Sequence, residues 1–247
     1  MKQTALSKNL LYYKKKMLDI NKHRANLNLI LRGIYTNTEI GSYLGFKGGT
    51  ACLMLYGLPR FSVDLDLNLM NPNKALLVYE KLGSFLTSKG NIKDQYIKER
   101  TLFFLYSYGT YDRNIKVEIS RRDYHDEFEI VNYLGLSMQV MKKEFMFAHK
   151  LVAATDRRKE VGRDLFDINY FFEQGWSFEP RIIEERTGKT INEYFAYLLT
   201  FIEERFPKNK ILDGLGEVIS SEQKNDVKAN LKASVIFHLK SYLDIHT

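Results

Sequence analysis

With 247 residues, 45% of them hydrophobic and 13% aromatic, and only four prolines, the chain can fill a sizeable core, which excludes bulk disorder. No apolar run approaches the roughly twenty residues that a membrane span needs, and a single cysteine, Cys52, excludes an intramolecular disulfide. The net charge of +7 is uneven: residues 1–46 carry eight Lys/Arg against two acids, 47–178 nineteen against seventeen, and 179–247 ten against eleven.

The first residues lack the long apolar stretch of a secretory signal, so the cytoplasm is the expected compartment. A basic segment interleaved with Leu10, Leu11, Tyr12, Tyr13, Met17 and Ile20 predicts an amphipathic helix over 6–20. Its polar face fits a phosphate backbone or an acidic partner, or is simply solvated. A second helix is predicted over 22–35. Lys47-Gly48-Gly49-Thr50 then opens a short helix near 50–56. Paired glycines let a ligand approach the backbone, and the amides of a helix N-terminus attract phosphate. The lysine precedes the glycines and no Gly-Lys-Ser/Thr follows, so the pattern is not a Walker loop. Cys52 lies in the apolar part of this helix and reads as a small buried hydrophobe rather than a nucleophile.

After the turn Gly57-Leu58-Pro59-Arg60, strict alternation from Phe61 to Leu69 predicts a strand with Val63, Leu65, Leu67 and Leu69 on one face. Asp64 and Asp66 share the other. Two carboxylates so placed suit a hard divalent cation, magnesium first; the bland alternative is the wet face of an amphipathic sheet. The glycine pair, turn and acidic strand together are far more specific than any one of them. A helix is predicted over 73–89, then a hairpin of strands 101–108 and 114–120 around Gly109-Thr110-Tyr111-Asp112-Arg113. Glu118 points away from the apolar face of its strand, and beside the aspartates it would be a third acid able to bind metal or take a proton.

Beyond about residue 139 the spacing turns helical, with helices predicted over 144–172, 190–205 and 227–243 and a boundary between halves near 130–140. Residues 211–226 read as a connection without assignable chemistry. In the helical half, Lys150, Arg157, Arg158, Arg163, Asp164 and Asp167 form a second constellation. It reads either as charge that neutralises a triphosphate or as an ion-pair network joining two helices. The five histidines show no metal-ligand spacing.

These residues resemble the AbiEii-type toxins, nucleotidyltransferase-like proteins of bacterial type IV toxin–antitoxin and phage-defence systems that include the MenT toxins. The resemblance lies in Lys47-Gly48-Gly49-Thr50, Arg60-Phe61-Ser62-Val63-Asp64-Leu65-Asp66, Lys116-Val117-Glu118-Ile119, and Lys150 through Arg163-Asp164 to Asp167. It implies an α+β fold: a DNA-polymerase-β-like nucleotidyltransferase core of mixed sheet and helices in residues 1–135, then an all-helical domain in 136–247. It also implies Mg2+, with Mn2+ as the alternative, a nucleoside triphosphate donor, and an acceptor hydroxyl that in MenT relatives is the 3′ end of tRNA. A cognate antitoxin is an implied partner. By this resemblance Asp64 and Asp66 bind the metals, Glu118 is the third acid or base, and Gly48, Gly49 and Thr50 hold the triphosphate. Lys47 or Lys150 offsets the charge of the leaving pyrophosphate, and Lys150 and Asp167 contact the nucleotide. Arg163 and Asp164 belong to the same block, either Asp164 or Asp167 touching the ligand. Where many members of the wider superfamily have Gly-Ser, this chain has Gly49, with Thr50 as the replacement hydroxyl. Two rivals stand beside this reading: an antibiotic-type nucleotidyltransferase acting on a small molecule, which the basic charge disfavours, and a non-catalytic nucleotide-binding regulator.

Overall fold

A computed structural model describes residues 18–110, 112–157, 161–207 and 210–246. The predicted helix over 6–20 lies almost wholly outside the described residues, as does Arg158. In chain order the elements are α1 (Ile20–Tyr35), β1 (Leu44–Lys47), α2 (Gly48–Tyr56), β2 (Leu65–Leu69), α3 (Ala75–Lys89), β3 (Asn91–Lys98), β4 (Thr101–Ser107), β5 (Ile115–Ser120), β6 (Phe128–Tyr133) and β7 (Leu136–Met141). Then follow α4 (Lys143–Asp156), α5 (Gly162–Glu173), α6 (Pro180–Thr187), α7 (Ile191–Arg205), α8 (Ser221–Asp226) and α9 (Lys232–His246), with a π-helical turn at Val227–Leu231. Among the described residues no helix is long and apolar enough to cross a membrane. The described residues form two compact units, one drawn from residues 18–44 and 63–121, the other from 45–62 and 122–246.

The first unit is built on a mixed sheet in the order β3-β4-β5-β2. The pairs β3/β4 and β4/β5 are antiparallel, whereas β5 and β2 run parallel. Alternation decides its faces: Leu65 and Leu67, Leu102, Phe104 and Tyr106, and Ile115, Val117 and Ile119 are all fully buried. Helices α1 and α3 add Leu27, Ile30, Leu31 and Ile34 and Val78, Leu82 and Leu86, each at helical spacing. Burying such a side chain is worth about 1.5–3 kcal/mol, so this apolar layer is what holds the unit together. The two helices touch closely at Gly33, where any side chain would collide with the Phe85 ring. Asp19 caps α1 by accepting the Lys22 amide at 3.0 Å.

The acidic strand is shorter than the alternation predicts. Its ladder starts at Leu65, opposite Val117, and Phe61–Asp64 lead in without sheet pairing. Side chains take the place of strand partners there: the Val63 carbonyl meets His23 Nε2, and the Lys116 amide donates to Asp64 Oδ1.

In the second unit β1 pairs parallel with β7, and β6 pairs antiparallel with β7. The β6–β7 hairpin turns on Leu134 and Gly135, both left-handed at φ 49° and 78°, as a two-residue type I′ turn requires. Helix α4 packs against α5 and α6, α6 against α7, and α9 against α5 and α7. Phe147 of α4 centres an aromatic cluster, with Phe171, Phe172 and Phe178 edge-on at ring separations of 5.3, 4.9 and 5.8 Å. The predicted helix over 144–172 is broken into α4 and α5. Arg157 leaves the helix in an extended conformation, and α5 restarts at Gly162, packed so tightly on the Ile211 carbonyl that no side chain would fit.

Candidate active site

The three acids predicted as metal ligands lie in the first unit. Asp66 and Glu118 are register partners across the parallel pair β2/β5, which puts their Cα atoms one strand spacing apart, about 4.8 Å. Asp66 is half-buried and Glu118 exposed, on the face opposite the apolar layer. Asp64 precedes the strand, and its Oδ1 accepts the Lys116 amide at 3.3 Å. The structure thus sets Asp66 beside Glu118 and brings Asp64 to the strand start. It does not gather the acids into one cage: among the described residues no group of three or more His, Cys, Asp or Glu is arranged to hold a metal ion. The donor set nonetheless fits Mg2+, which takes oxygen ligands, commonly one or two carboxylates, and completes its shell with water and substrate phosphate oxygens.

His23, on the apolar stripe of α1 and fully buried, anchors the approach to these acids. Its Nε2 lies 2.8 Å from the Val63 carbonyl, so Nε2 carries the proton, and Nδ1, 2.7 Å from the Tyr108 hydroxyl, accepts. Burial lowers its pKa, against the raising effect of the Val63 hydrogen bond and nearby Asp64. The ring is therefore neutral at pH 7 and fixes the residue before Asp64.

The predicted phosphate turn lies in the second unit. Lys47 ends β1 and stands at the N-cap of α2 without a side-chain cap, an arrangement in which first-turn amides serve an anion. Gly48 sits at φ 79°, a left-handed conformation that glycine adopts without strain. Gly49 is glycine for a different reason. A Cβ there would come 2.8 Å from an Arg60 guanidinium nitrogen and 3.2 Å from Ser62 Oγ. The Thr50 hydroxyl donates to Ser62 Oγ at 2.8 Å, tying the turn to the loop after α2.

Beside this turn is a buried ion network. Asp167, fully buried, accepts from Arg60 Nε at 2.5 Å and from a terminal guanidinium nitrogen at 2.6 Å, a bidentate pair. Lys150 Nζ lies 2.9 Å from Asp167 and 3.1 Å from Asp164, and Arg157 Nε lies 2.6 Å from Asp164. Burial opposes ionisation of Asp167, but Arg60 and Lys150 prevail and hold its carboxyl below the usual range. The same balance acts on Lys150, whose pKa is raised despite burial because two carboxylates face it. Of these cations Arg60 lies directly beside the glycine turn, 2.8 Å from the ideal Cβ position of Gly49. Arg163 is not part of the network; its aliphatic stem lies along Gly214. Of the two readings of this constellation, the ion-pair network joining α4 and α5 is visible in the structure. It extends further than predicted, through Arg60 to the turn after α2.

Residues 29–240 match the family described as nucleotidyl transferase AbiEii toxin, type IV TA system. The chain belongs to the AbiEii family. Two solved structures from Helicobacter pylori are similar to it. JHP933 is 20% identical with a TM-score of 0.56, the match covering 93% of this chain and 96% of that one. A candidate nucleotidyltransferase is 21% identical, also with a TM-score of 0.56, the match covering 92% of this chain and 96% of that one. At such identities the likeness shows a shared fold. No curated protein matches the chain.

Two residues of this AbiEii chain escaped sequence reasoning as parts of the site. His23 shows one signal, a lone histidine at an otherwise apolar position of the stripe Leu27, Ile30, Leu31, Ile34. Arg60 stands in the Arg60–Asp66 block that carries the resemblance, but its role does not show in sequence, because its partner Asp167 is 107 residues away. Cys52 behaves as predicted: it is buried against Met146, and burial pushes its thiol up to about 12.

Proposed function

We propose that this AbiEii protein transfers a nucleotide from a nucleoside triphosphate to an acceptor hydroxyl, the 3′ end of tRNA, as the toxin of a cytoplasmic toxin–antitoxin or phage-defence system. The observation that carries the reading is the register pair Asp66 and Glu118 with Asp64 leading into the same strand. In this reading residues 1–135 supply the nucleotidyltransferase core and 136–247 an accessory helical domain, and a cognate antitoxin restrains the enzyme.

Asp64, Asp66 and Glu118 would hold Mg2+, or Mn2+ in its place, which when bound neutralises phosphate charge and orients the reacting oxygens. The amides of Gly48, Gly49 and Thr50, reinforced by the α2 dipole, bind the triphosphate. Lys47 and Lys150 offset the negative charge of the leaving pyrophosphate, with Asp164 and Asp167 holding Lys150 in place. Glu118, exposed on its strand, accepts the proton of the acceptor hydroxyl at its carboxylate. The acceptor oxygen then bonds to the α-phosphorus in line as the bond to the β-phosphate oxygen breaks. Positioning and charge neutralisation carry most of the rate. The basic N-terminal segment grips the RNA backbone.

Incubating the protein with each of four radiolabelled triphosphates, magnesium and total RNA tests this reading. Label in tRNA is the expected result, lost in Asp64→Asn without loss of fold. Label on an added aminoglycoside alone, or full activity of the Asn variant, overturns it.

A further inference from the structure

The contact between Gly49 and Arg60 is closer than a surface arginine would need. The guanidinium lies where a Gly49 side chain would be, 2.8 Å from the ideal Cβ position. It is also locked in place. Both carboxylate oxygens of Asp167 hold it, at 2.5 and 2.6 Å, and a third hydrogen bond runs to the Phe61 carbonyl at 3.2 Å. The side chain is 5% exposed and its acid partner fully buried, so the fork cannot swing away without stranding two charges. Asp167 in turn is shared with Lys150. One carboxylate therefore fixes both the cation under the glycine turn and the lysine assigned to the triphosphate.

We propose that Arg60 is a positioning residue: clamped by Asp167, its guanidinium forms the floor on which the Gly48–Thr50 turn is set, and it thereby aims the first amides of α2 at the triphosphate. The proposal rests on the reading of this turn as the triphosphate site. Arg60 itself touches no substrate. Its contribution is geometric, through the planar fork that matches a carboxylate bidentately, and an ammonium of the same charge lacks that fork.

Two substitutions approach the contact from opposite sides. Arg60→Lys keeps the charge but loses the fork. Gly49→Ala keeps the fork and adds a methyl group where the guanidinium lies, at a position with no left-handed backbone requirement. Binding of each nucleoside triphosphate is measured by calorimetry with magnesium present, and transfer kinetics where turnover is seen. Each variant is expected to weaken triphosphate binding, and raise its KM, by about tenfold or more, with kcat within about threefold of wild type. The double variant is expected to bind no worse than Gly49→Ala alone, because contacting residues couple rather than add and the lysine can move aside. Circular dichroism spectra matching wild type confirm that the variants compared are folded. If wild type binds triphosphate and both single variants bind it equally well, Arg60 does not position the turn and the proposal is wrong while the functional reading stands. If wild type binds no triphosphate at all, the functional reading fails and takes this one with it.

Discussion

Asp64 and Asp167 are both acids, yet they have opposite relations to stability. Asp167 is fully buried between Arg60 and Lys150, and removing one partner of a buried pair typically costs about 3–5 kcal/mol because the remaining charge is stranded. Asp167→Ala is therefore expected to lower the free energy of unfolding by about that amount in urea titrations. Asp64 is half-buried, and the side-chain oxygen of Asp64→Asn can still accept from the Lys116 amide, though more weakly than a carboxylate. Its unfolding free energy should fall by clearly less than that of Asp167→Ala, about 1–2 kcal/mol. The reverse ranking would show that the strand acid, not the helix acid, is structural.

At the scale of elements, legibility follows periodicity and distance along the chain. Helices α1 and α7 and the β4–β5 hairpin were readable because their apolar residues recur with a clean period of 3.6 or 2. Strand β3 was missed because Asn91–Lys98 presents almost nothing to the core. The β6–β7 hairpin was missed because its turn is Leu134-Gly135 rather than Asn-Gly, and β6 is mostly exposed without regular alternation. The site follows the same logic. Gly48, Gly49, Asp64 and Asp66 were legible because each pair sits close in sequence with a spacing that has a chemical meaning. The pairing of Asp66 with Glu118 was legible only as a condition, since no local signal says that β2 and β5 are neighbours. The links from His23 to Val63, 40 residues on, and from Arg60 to Asp167, 107 on, were not legible, because tertiary packing alone creates them.

For the molecule as a whole, His23, fully buried, and His149, half-buried, set an acid limit. His23 and His149 both have pKa values lowered by burial, in His149 against the raising effect of its hydrogen bond to Asp126 at 2.6 Å. Unfolded, each binds a proton near pH 6.5; folded, each resists it, so their contribution to stability is present above about pH 6.5 and is lost as the pH falls. Asp167, held below the usual carboxylate range, adds a second loss at still lower pH. The thermal midpoint is expected to fall as pH drops from about 7 to about 5, and a midpoint that is level or rising over that interval would contradict the burial account.

The most direct test of the central claim, that this AbiEii chain moves a nucleotide and not a phosphoryl group, uses the same triphosphate labelled once at the α-phosphate and once at the γ-phosphate. With magnesium and RNA, the α-label should become covalently attached to RNA while the γ-label leaves as pyrophosphate, and both outcomes should vanish in Asp66→Asn. Transfer of the γ-label to the acceptor, or α-labelling undiminished in Asp66→Asn, would contradict the account.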